Sequence, residues 1–191
     1  MIVKPSAENL ATEAKAAGKK GPPPVHLWNP PFCGDLDMEI RRDGTWFYLG
    51  TPMGRMGLVK LFSSIIRKDG DQYFLVTPVE KVGIRVVDAP FVASDFTASG
   101  NGREQVLTFT THVEDVAVAG ADHPIRVVRD AETGEPSPYI LIRANLEALI
   151  DRKTFYRLVD ICVHELHEGR SWFGVWSAGM FFPIIPSDEL G

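Results

Sequence analysis

A glycine-rich corner over residues 50–57 has the residue types that best suit a ligand site. It reads Gly-Thr-Pro-Met-Gly-Arg-Met-Gly, and a run with helical periodicity follows it. Free N–H groups and the dipole at a helix N-terminus attract anions. The spacing matches neither a phosphate-binding loop nor a dinucleotide fingerprint, and a tight strand-to-helix turn needs the same glycines. The corner predicts either a structural turn or an anion cradle.

A second polar corner lies at residues 77–81, Thr-Pro-Val-Glu-Lys, between two apolar runs. It offers a hydroxyl, a carboxylate and an ammonium, although a solvated turn with a weak ion pair would look the same. If both corners lie close together beside Trp28 or Trp46, they form a pocket of a few polar groups among aromatic rings. The predicted ligand-binding residues are Trp28, Gly50, Thr51, Gly54, Arg55, Thr77, Glu80, Lys81 and Arg85.

Other candidate groups give weaker patterns. His164 and His167 are three residues apart, whereas the zinc motif H-E-x-x-H separates them by four, and we place them at an exposed helix end. No nucleophile stands beside a histidine in the sequence, so no catalytic residue, metal ligand or cofactor is predicted. An enzyme that uses Asp35, Asp37 or His26 as acid or base is the alternative. Whether the protein is an enzyme stays open, and the sequence leans against it.

The elements that position the two corners follow from periodicity. Apolar residues alternate over 36–40, Asp43-Gly44 favours a hairpin turn, and residues 46–48 return as a strand. Apolar positions at helical spacing predict a helix from the glycine-rich corner to Lys68, ended by Asp69-Gly70. Residues 73–77 and 82–87 are predicted strands.

The second half repeats this rhythm less clearly. Strands are predicted at 91–98, 105–110, 125–129 and 139–143, and a long helix capped by Asn145 is predicted over 146–166. The aromatic run 172–185 closes the sheet as a hairpin. Another interpretation makes that run, with Trp172 and Trp176, the surface of a protein-binding scaffold.

These elements indicate an α+β fold of two subdomains, each a mainly antiparallel sheet packed with a helix, with internal duplication. We place an N-terminal arm and proline tether at 1–24, the first subdomain at 25–88 and the second at 89–191. The arm is either frayed, or docked on its own domain or on a partner.

Composition narrows the partners. The 191 residues carry a net charge of −5 without a basic block, which argues against nucleic acid. No window approaches the roughly 20 apolar residues of a membrane span. The two cysteines cannot build a disulfide framework, and the first residues have no signal-peptide pattern. We expect a soluble, cytoplasmic protein that does not bind membranes.

Six stretches of the sequence resemble a known family. They are HLWNPPFCGDLDMEI, DGTWFYLGTPMGR, YFLVTPVEKVGIRVVDAPF, FTTHVEDVAVAGADHPIRV, PYILIRANLEALIDRKTFYRLVD and GVWSAGMFFP. Together they resemble the bacterial family called domain of unknown function 1285.

The resemblance implies a duplicated α+β core whose second subdomain is loosely similar to pleckstrin-homology folds. It also implies a site for a nucleotide-like molecule at the subdomain interface and a place in signal transduction, with a protein partner. It supplies no functional residues. We therefore expect a ligand-binding or sensor protein that takes a small anionic or nucleotide-like molecule.

Overall fold

The structure, a computed structural model, describes residues 4–191. The chain divides into two compact units, Met1–Pro90 and Phe91–Gly191, and each contains a six-stranded sheet.

The sheet of the N-terminal unit consists of β1 (Phe32–Ile40), β2 (Trp46–Tyr48), β3 (Thr51–Pro52), β4 (Ile66–Asp69), β5 (Gln72–Val76) and β6 (Lys81–Val86). Their spatial order is β3-β2-β1-β6-β5-β4. The central strands β1 and β6 are parallel, and the other neighbours are antiparallel. A parallel pair needs a long connection, which the chain between these two strands supplies.

Two helices cover one face of this sheet. Helix α2 (Met56–Ser63) buries Phe62, whose ring stacks on Trp46 with centroids 6.3 Å apart. Helix α1 (Ala7–Ala17) packs against α2, and its N-cap Ser6 accepts a hydrogen bond from the Asn9 N–H at 3.3 Å. Leu10 is completely buried, and Ala7 and Ala14 lie on the same helical face. These contacts support the docked alternative for the N-terminal arm.

The predicted second helix is too long. It ends at Ser63, and Ile66–Asp69 forms β4, so that Gly70, with φ of 61°, lies in a hairpin turn and does not end a helix. The Ser63 and Ser64 hydroxyls donate to the carbonyls of Lys60 and Leu61 at 2.8 and 2.6 Å. Hydrogen bonds from serine side chains to backbone carbonyls compete with helix propagation. The residues that follow satisfy their backbone hydrogen bonds by pairing with β5.

The sheet of the C-terminal unit consists of β7 (Phe91–Ser99), β8 (Val106–Thr111), β9 (Val116–Val118), β10 (Ile125–Arg129), β11 (Pro136–Arg143) and β12 (Leu146–Ile150). Its order is β10-β11-β12-β7-β8-β9, with β7 and β12 parallel. Each unit thus joins two antiparallel three-stranded meanders through a parallel pair of its first and sixth strands. The repeated topology agrees with the duplication predicted from the sequence.

The long helix predicted over 146–166 is wrong. Leu146–Ile150 is β12, α3 covers only Arg152–Val159, and Val163–His167 is β13. Asp151, rather than Asn145, caps α3, because its carboxylate accepts from the Thr154 N–H at 2.8 Å. β13 forms a separate three-stranded antiparallel sheet with β14 (Arg170–Ser177) and β15 (Met180–Pro186).

The predicted α+β class, with mainly antiparallel sheets each accompanied by a helix, is confirmed. The pleckstrin-homology likeness stays an expectation. Among residues 4–191, no helix has the length and apolar character that a membrane crossing requires.

We expect Leu10→Ala to lower the free energy of unfolding by about 2–4 kcal/mol, because it deletes a fully buried side chain. Urea unfolding followed by circular dichroism measures this loss. Lys15→Ala, on the exposed side of α1, is the control and should stay within about 0.5 kcal/mol. Equal stability of Leu10→Ala and the wild type would show that α1 does not dock in solution.

Candidate functional site

The face of the N-terminal sheet opposite α2, called the open face below, is rich in charge. In β1 the buried Leu36, Met38 and Ile40 alternate with residues that point to the other side. The register of the neighbouring strands extends that side across the sheet. Its charged residues are Asp35, Asp37, Glu39, Arg67, Asp69, Lys81 and Arg85. The uncharged residues that the same register places on this side are Phe32, Phe47, Gln72, Phe74, Val76 and Gly83.

An irregular register aims Asp35 across the middle of this face. From Phe32 to Glu39, β1 advances seven residues while β6 advances four, from Lys81 to Arg85, with irregularities on both sides of Asp35. Bulges of this kind redirect side chains. The Asp35 carboxylate lies over Gly83, where a Cβ would overlap its Oδ1 atom. Glycine at position 83 therefore makes the space that this carboxylate occupies.

The other charged side chains of the open face neutralise one another. Arg85 donates to Asp37 at 2.8 Å and to Glu39 at 3.3 Å. Arg67 and Lys81 donate to the two carboxylate oxygens of Asp69 at 2.9 and 2.8 Å. The hydrogen bond from Arg67 is the main reason that the pKa of Asp69 lies below its ordinary value.

Asp35 differs from these groups. Among residues 4–191, neither Asp35 nor Asp71 has a hydrogen-bonding or ionic partner for its carboxylate. Both line a cleft of about 350 Å³, which is open to solvent. The other residues that line the cleft are Leu36, Gln72, Tyr73, Phe74, Gly83, Ile84, Arg85 and Val86. The volume is at the lower end of the usual range for small-molecule sites, about 300–1,000 Å³.

The Phe74 ring is not a free stacking surface. Lys81 Nζ lies 4.0 Å from its centroid, and the Phe32 ring meets it edge-on with centroids 6.0 Å apart. The side chain of Phe74 is therefore a wall of the cleft, and the polar contacts available to a ligand come from Asp35, Asp71 and Gln72.

The predicted corner at 77–81 has a structural function in the fold. Thr77 is completely buried, and its hydroxyl accepts from the N–H groups of Val79 and Glu80 at 3.4 and 3.1 Å. Lys81 is bound to Asp69, as above. Burial raises the pKa of the Glu80 carboxyl, and the charge of Glu13 on α1 raises it further.

The two predicted corners lie at different places along β1. Leu49, just before the first corner, donates its N–H to the Asp37 carbonyl at 2.9 Å, whereas Lys81 donates its own to Pro31 at 3.2 Å. Because β1 lies between β2 and β6, and the two contacts are at different points along β1, the two corners are on the order of 15 Å apart. Gly50, Thr51, Gly54 and Arg55 are exposed around β3 and the start of α2. Their role in binding remains a prediction.

Trp28 and Arg85 complete the predicted set. Trp28 is half-buried, and its carbonyl accepts a hydrogen bond from Arg67 Nη1 at 2.6 Å. Arg67 also binds Asp69, and Asp69 binds Lys81, so these ion pairs connect Trp28 to Lys81. Arg85 is the one residue of the predicted set that lines the cleft. The structure thus joins Trp28 to Lys81 through an ion pair and places Arg85 beside Asp35.

This geometry gives little support to the alternative in which Asp35, Asp37 or His26 acts as a catalytic acid or base. Asp35 and Asp37 share the open face, but Asp37 is bound to Arg85. The backbone around His26 is held at β4, where Arg67 donates to the Val25 carbonyl at 3.0 Å. Because β4 is three strand positions from β1, we estimate a distance of roughly 14 Å between His26 and the two aspartates.

In the C-terminal unit, His164 and His167 lie on β13 and not at a helix end, which corrects the prediction. Residues three apart on a strand point to opposite faces, so the pair cannot share a metal. Trp172 and Trp176 are half-buried, and Trp176 donates its indole N–H to Glu165 at 3.3 Å. Whether these tryptophans serve a protein partner remains a prediction.

Sequence reasoning missed Gly83, Asp71, Gln72 and Phe74 as lining of the cleft and considered Asp35 only as a catalytic acid or base. One signal was present. An isolated glycine in a strand such as Val-Gly-Ile-Arg-Val indicates a bulge or a close approach. The position of Asp35 over that glycine depends on the parallel pairing of β1 with β6.

Comparison with known proteins gives consistent matches. Residues 23–89 match the family model described as "Domain of unknown function (DUF1285), N-terminal domain", and residues 90–184 match "Protein of unknown function (DUF1285), C-terminal domain". No curated protein matches the chain.

Two solved structures are similar. A DUF1285 family protein from Silicibacter pomeroyi DSS-3 is 62% identical, with 95% of this chain and 97% of that chain covered and a TM-score of 0.85. A DUF1285 family protein from Shewanella baltica OS155 is 29% identical, with 65% and 91% covered and a TM-score of 0.52.

We expect Glu80→Gln to stabilise the protein at pH 7. An acid whose pKa is raised by folding favours the folded state below its unfolded pKa and loses that contribution as the pH rises through the folded pKa. At pH 7 the charged Glu80 therefore destabilises the fold. Urea midpoints at pH 7 and at pH 4 measure the effect, and the gain should shrink at pH 4.

Glu132→Gln, in an exposed loop of the C-terminal unit, is the control and should leave the urea midpoint unchanged at pH 7 and at pH 4. Glu13→Gln should act in the same direction as Glu80→Gln. A lower midpoint for Glu80→Gln at pH 7 would contradict the assignment.

Proposed function

The chain belongs to the DUF1285 family, and we propose that its N-terminal unit binds a small polar molecule in the cleft beside Asp35. The ligand donates hydrogen bonds, or carries a positive charge, on the side that faces this carboxylate. In this proposal the cleft is a binding site, and no reaction takes place in it.

One observation carries the proposal: Asp35 is an uncompensated carboxylate in a cleft, on a face where the other charged side chains have opposite partners. A carboxylate accepts only, and hydrogen bonds to charged groups are about twice as strong as those between neutral groups. The glycine at 83 lets this group lie flat on the sheet. A donor placed in the cleft would therefore gain a strong interaction without displacing an existing ion pair.

The charges favour a donor over an anion. Arg85, which lines the cleft, and Lys81, whose Nζ lies over the Phe74 ring, are already bound to carboxylates. A nucleobase fits this pattern because its edge carries N–H groups, so a nucleotide-like ligand would enter base first. A ligand that offers only phosphate oxygens would meet Asp35 and Asp71 with like charge. Signalling is implied by the family resemblance alone, and no contact in the cleft adds to it.

The test is a thermal-shift and calorimetric panel on the whole chain. Adenosine, guanosine, their monophosphates, spermidine and inorganic phosphate are each added at millimolar concentration. We expect a nucleoside or amine to raise the melting temperature, since a ligand stabilises by RT ln(1 + [L]/Kd). Inorganic phosphate should not, and a monophosphate should bind no better than its nucleoside.

Two variants locate the site. Asp35→Asn keeps the shape and removes the charge, and should weaken binding by about tenfold or more, the loss of one charge-assisted hydrogen bond. Gly83→Ala should fold normally but displace the carboxylate and weaken binding as well. Asp160→Asn, an exposed aspartate in the C-terminal unit, is the control. Binding that is unchanged in Asp35→Asn, or the absence of binding by every donor compound, would refute the proposal.

A further inference from the structure

Three polar side chains form a hydrogen-bonded line on one face of the three-stranded sheet in the C-terminal unit. The Ser171 hydroxyl lies 2.9 Å from Ser187 Oγ, which lies 2.8 Å from Nδ1 of His164. Strand pairing brings these three residues together. Ser171 lies opposite Leu166, which is two residues from His164 on β13. Trp172, the residue after Ser171, lies opposite Pro186, the residue before Ser187. Ser187 and His164 are 23 positions apart in sequence, so this pair is absent from any local motif.

The proton count gives this line a direction. With Ser171 as donor to Ser187 Oγ, the single hydroxyl proton of Ser187 is left to point at His164. Neutral histidine accepts at Nδ1 when its proton is on Nε2. A serine hydroxyl that donates to the free nitrogen of a histidine is the arrangement by which a base activates a nucleophile.

The surroundings hold both groups in place. The His164 ring packs against Phe173 with centroids 5.0 Å apart. The turn that begins with Ser187 is tied down on its far side, because Arg170 donates to Asp188 at 2.8 Å and Arg129 binds Glu189. A nucleophile held in one position relative to its base loses less freedom when it reacts.

An apolar surface adjoins the pair. Leu166 lies on the same face of β13 as His164, two residues away, and 73% of its surface is exposed. With Phe173 it offers a small shelf on which the acyl chain of a substrate could rest. The line itself is open to solvent, so a substrate would gain few contacts beyond this shelf.

We propose that Ser187 is a nucleophile, activated by His164, that reacts with small activated acyl esters. Ser187 Oγ attacks the ester carbonyl carbon and its proton passes to Nδ1 of His164. The bond from carbon to the leaving alcohol breaks, and that alcohol takes the proton from His164. The acyl-serine is then hydrolysed by water, with His164 again as base, to give the free acid and the original hydroxyl. This activity is independent of the cleft in the N-terminal unit.

The test is labelling of the whole chain with a fluorophosphonate, followed by peptide mass spectrometry. Ser187 Oγ would form a bond to phosphorus, fluoride would leave, and the serine proton would pass through His164 to solvent. The adduct should map to Ser187 in the wild type, so this measurement does not depend on whether a variant folds. An adduct on other residues, or none, would overturn the proposal and leave the line a structural hydrogen-bond cluster.

Variants test the role of the base. His164→Gln should slow labelling by about 100-fold or more, the usual contribution of general base catalysis. Ser99→Ala, at an exposed serine of β7 that is not part of this line, is the matched control and should be labelled as fast as the wild type. Labelling that is as fast in His164→Gln as in the wild type would refute activation by His164.

Turnover of p-nitrophenyl acetate is the second measurement, with Ser187→Ala giving the background from other histidines. Circular dichroism and the urea midpoint show whether each variant is folded. Equal turnover in the wild type and a folded Ser187→Ala would also overturn the proposal.

Discussion

The parallel pairing of the first and sixth strands is the constraint on which both units depend. Parallel neighbours cannot be joined by a tight turn, so the chain between them must leave and return. In each unit it does so as two antiparallel meanders, one on either side of the central pair. The N-terminal unit places α2 in this connection, whereas the C-terminal unit places α3 after its sixth strand.

The same pairing creates the cleft. Because β1 is longer than the stretch of β6 beside it, extra residues are absorbed as irregularities, and these place Asp35 over Gly83. A regular pair would leave that position to an ordinary cross-strand contact. The ion pairs around it join the basic residues of the open face to its other carboxylates. The open face has one acidic residue more than it has basic residues, and the register makes Asp35 the one without a partner.

The C-terminal unit uses its additional sheet differently. Pairing of β13 with β14 and β15 brings histidine, serine and aromatic side chains to one exposed face. Most ion pairs near it hold the chain end in place. Surface ion pairs of this kind contribute little stability individually, and their effect is to restrict the position of the turn that carries Ser187.

Sequence alone determined the class of fold, the strands with clear alternation and the hairpin at Asp43-Gly44, because the period of two and the turn preference of glycine are local properties. It did not distinguish helix from strand at Ile66–Asp69 and Leu146–Ile150. Segments of four or five residues are too short for their apolar pattern to separate the two periods, and strand pairing across the sheet decided them. The same holds for the candidate sites. Arg85 and Asp35 were recognisable as polar groups on strands, but which carboxylates have partners depends on register. The approach of Ser187 to His164 depends on two strand pairings at once, and only the tertiary structure supplies these.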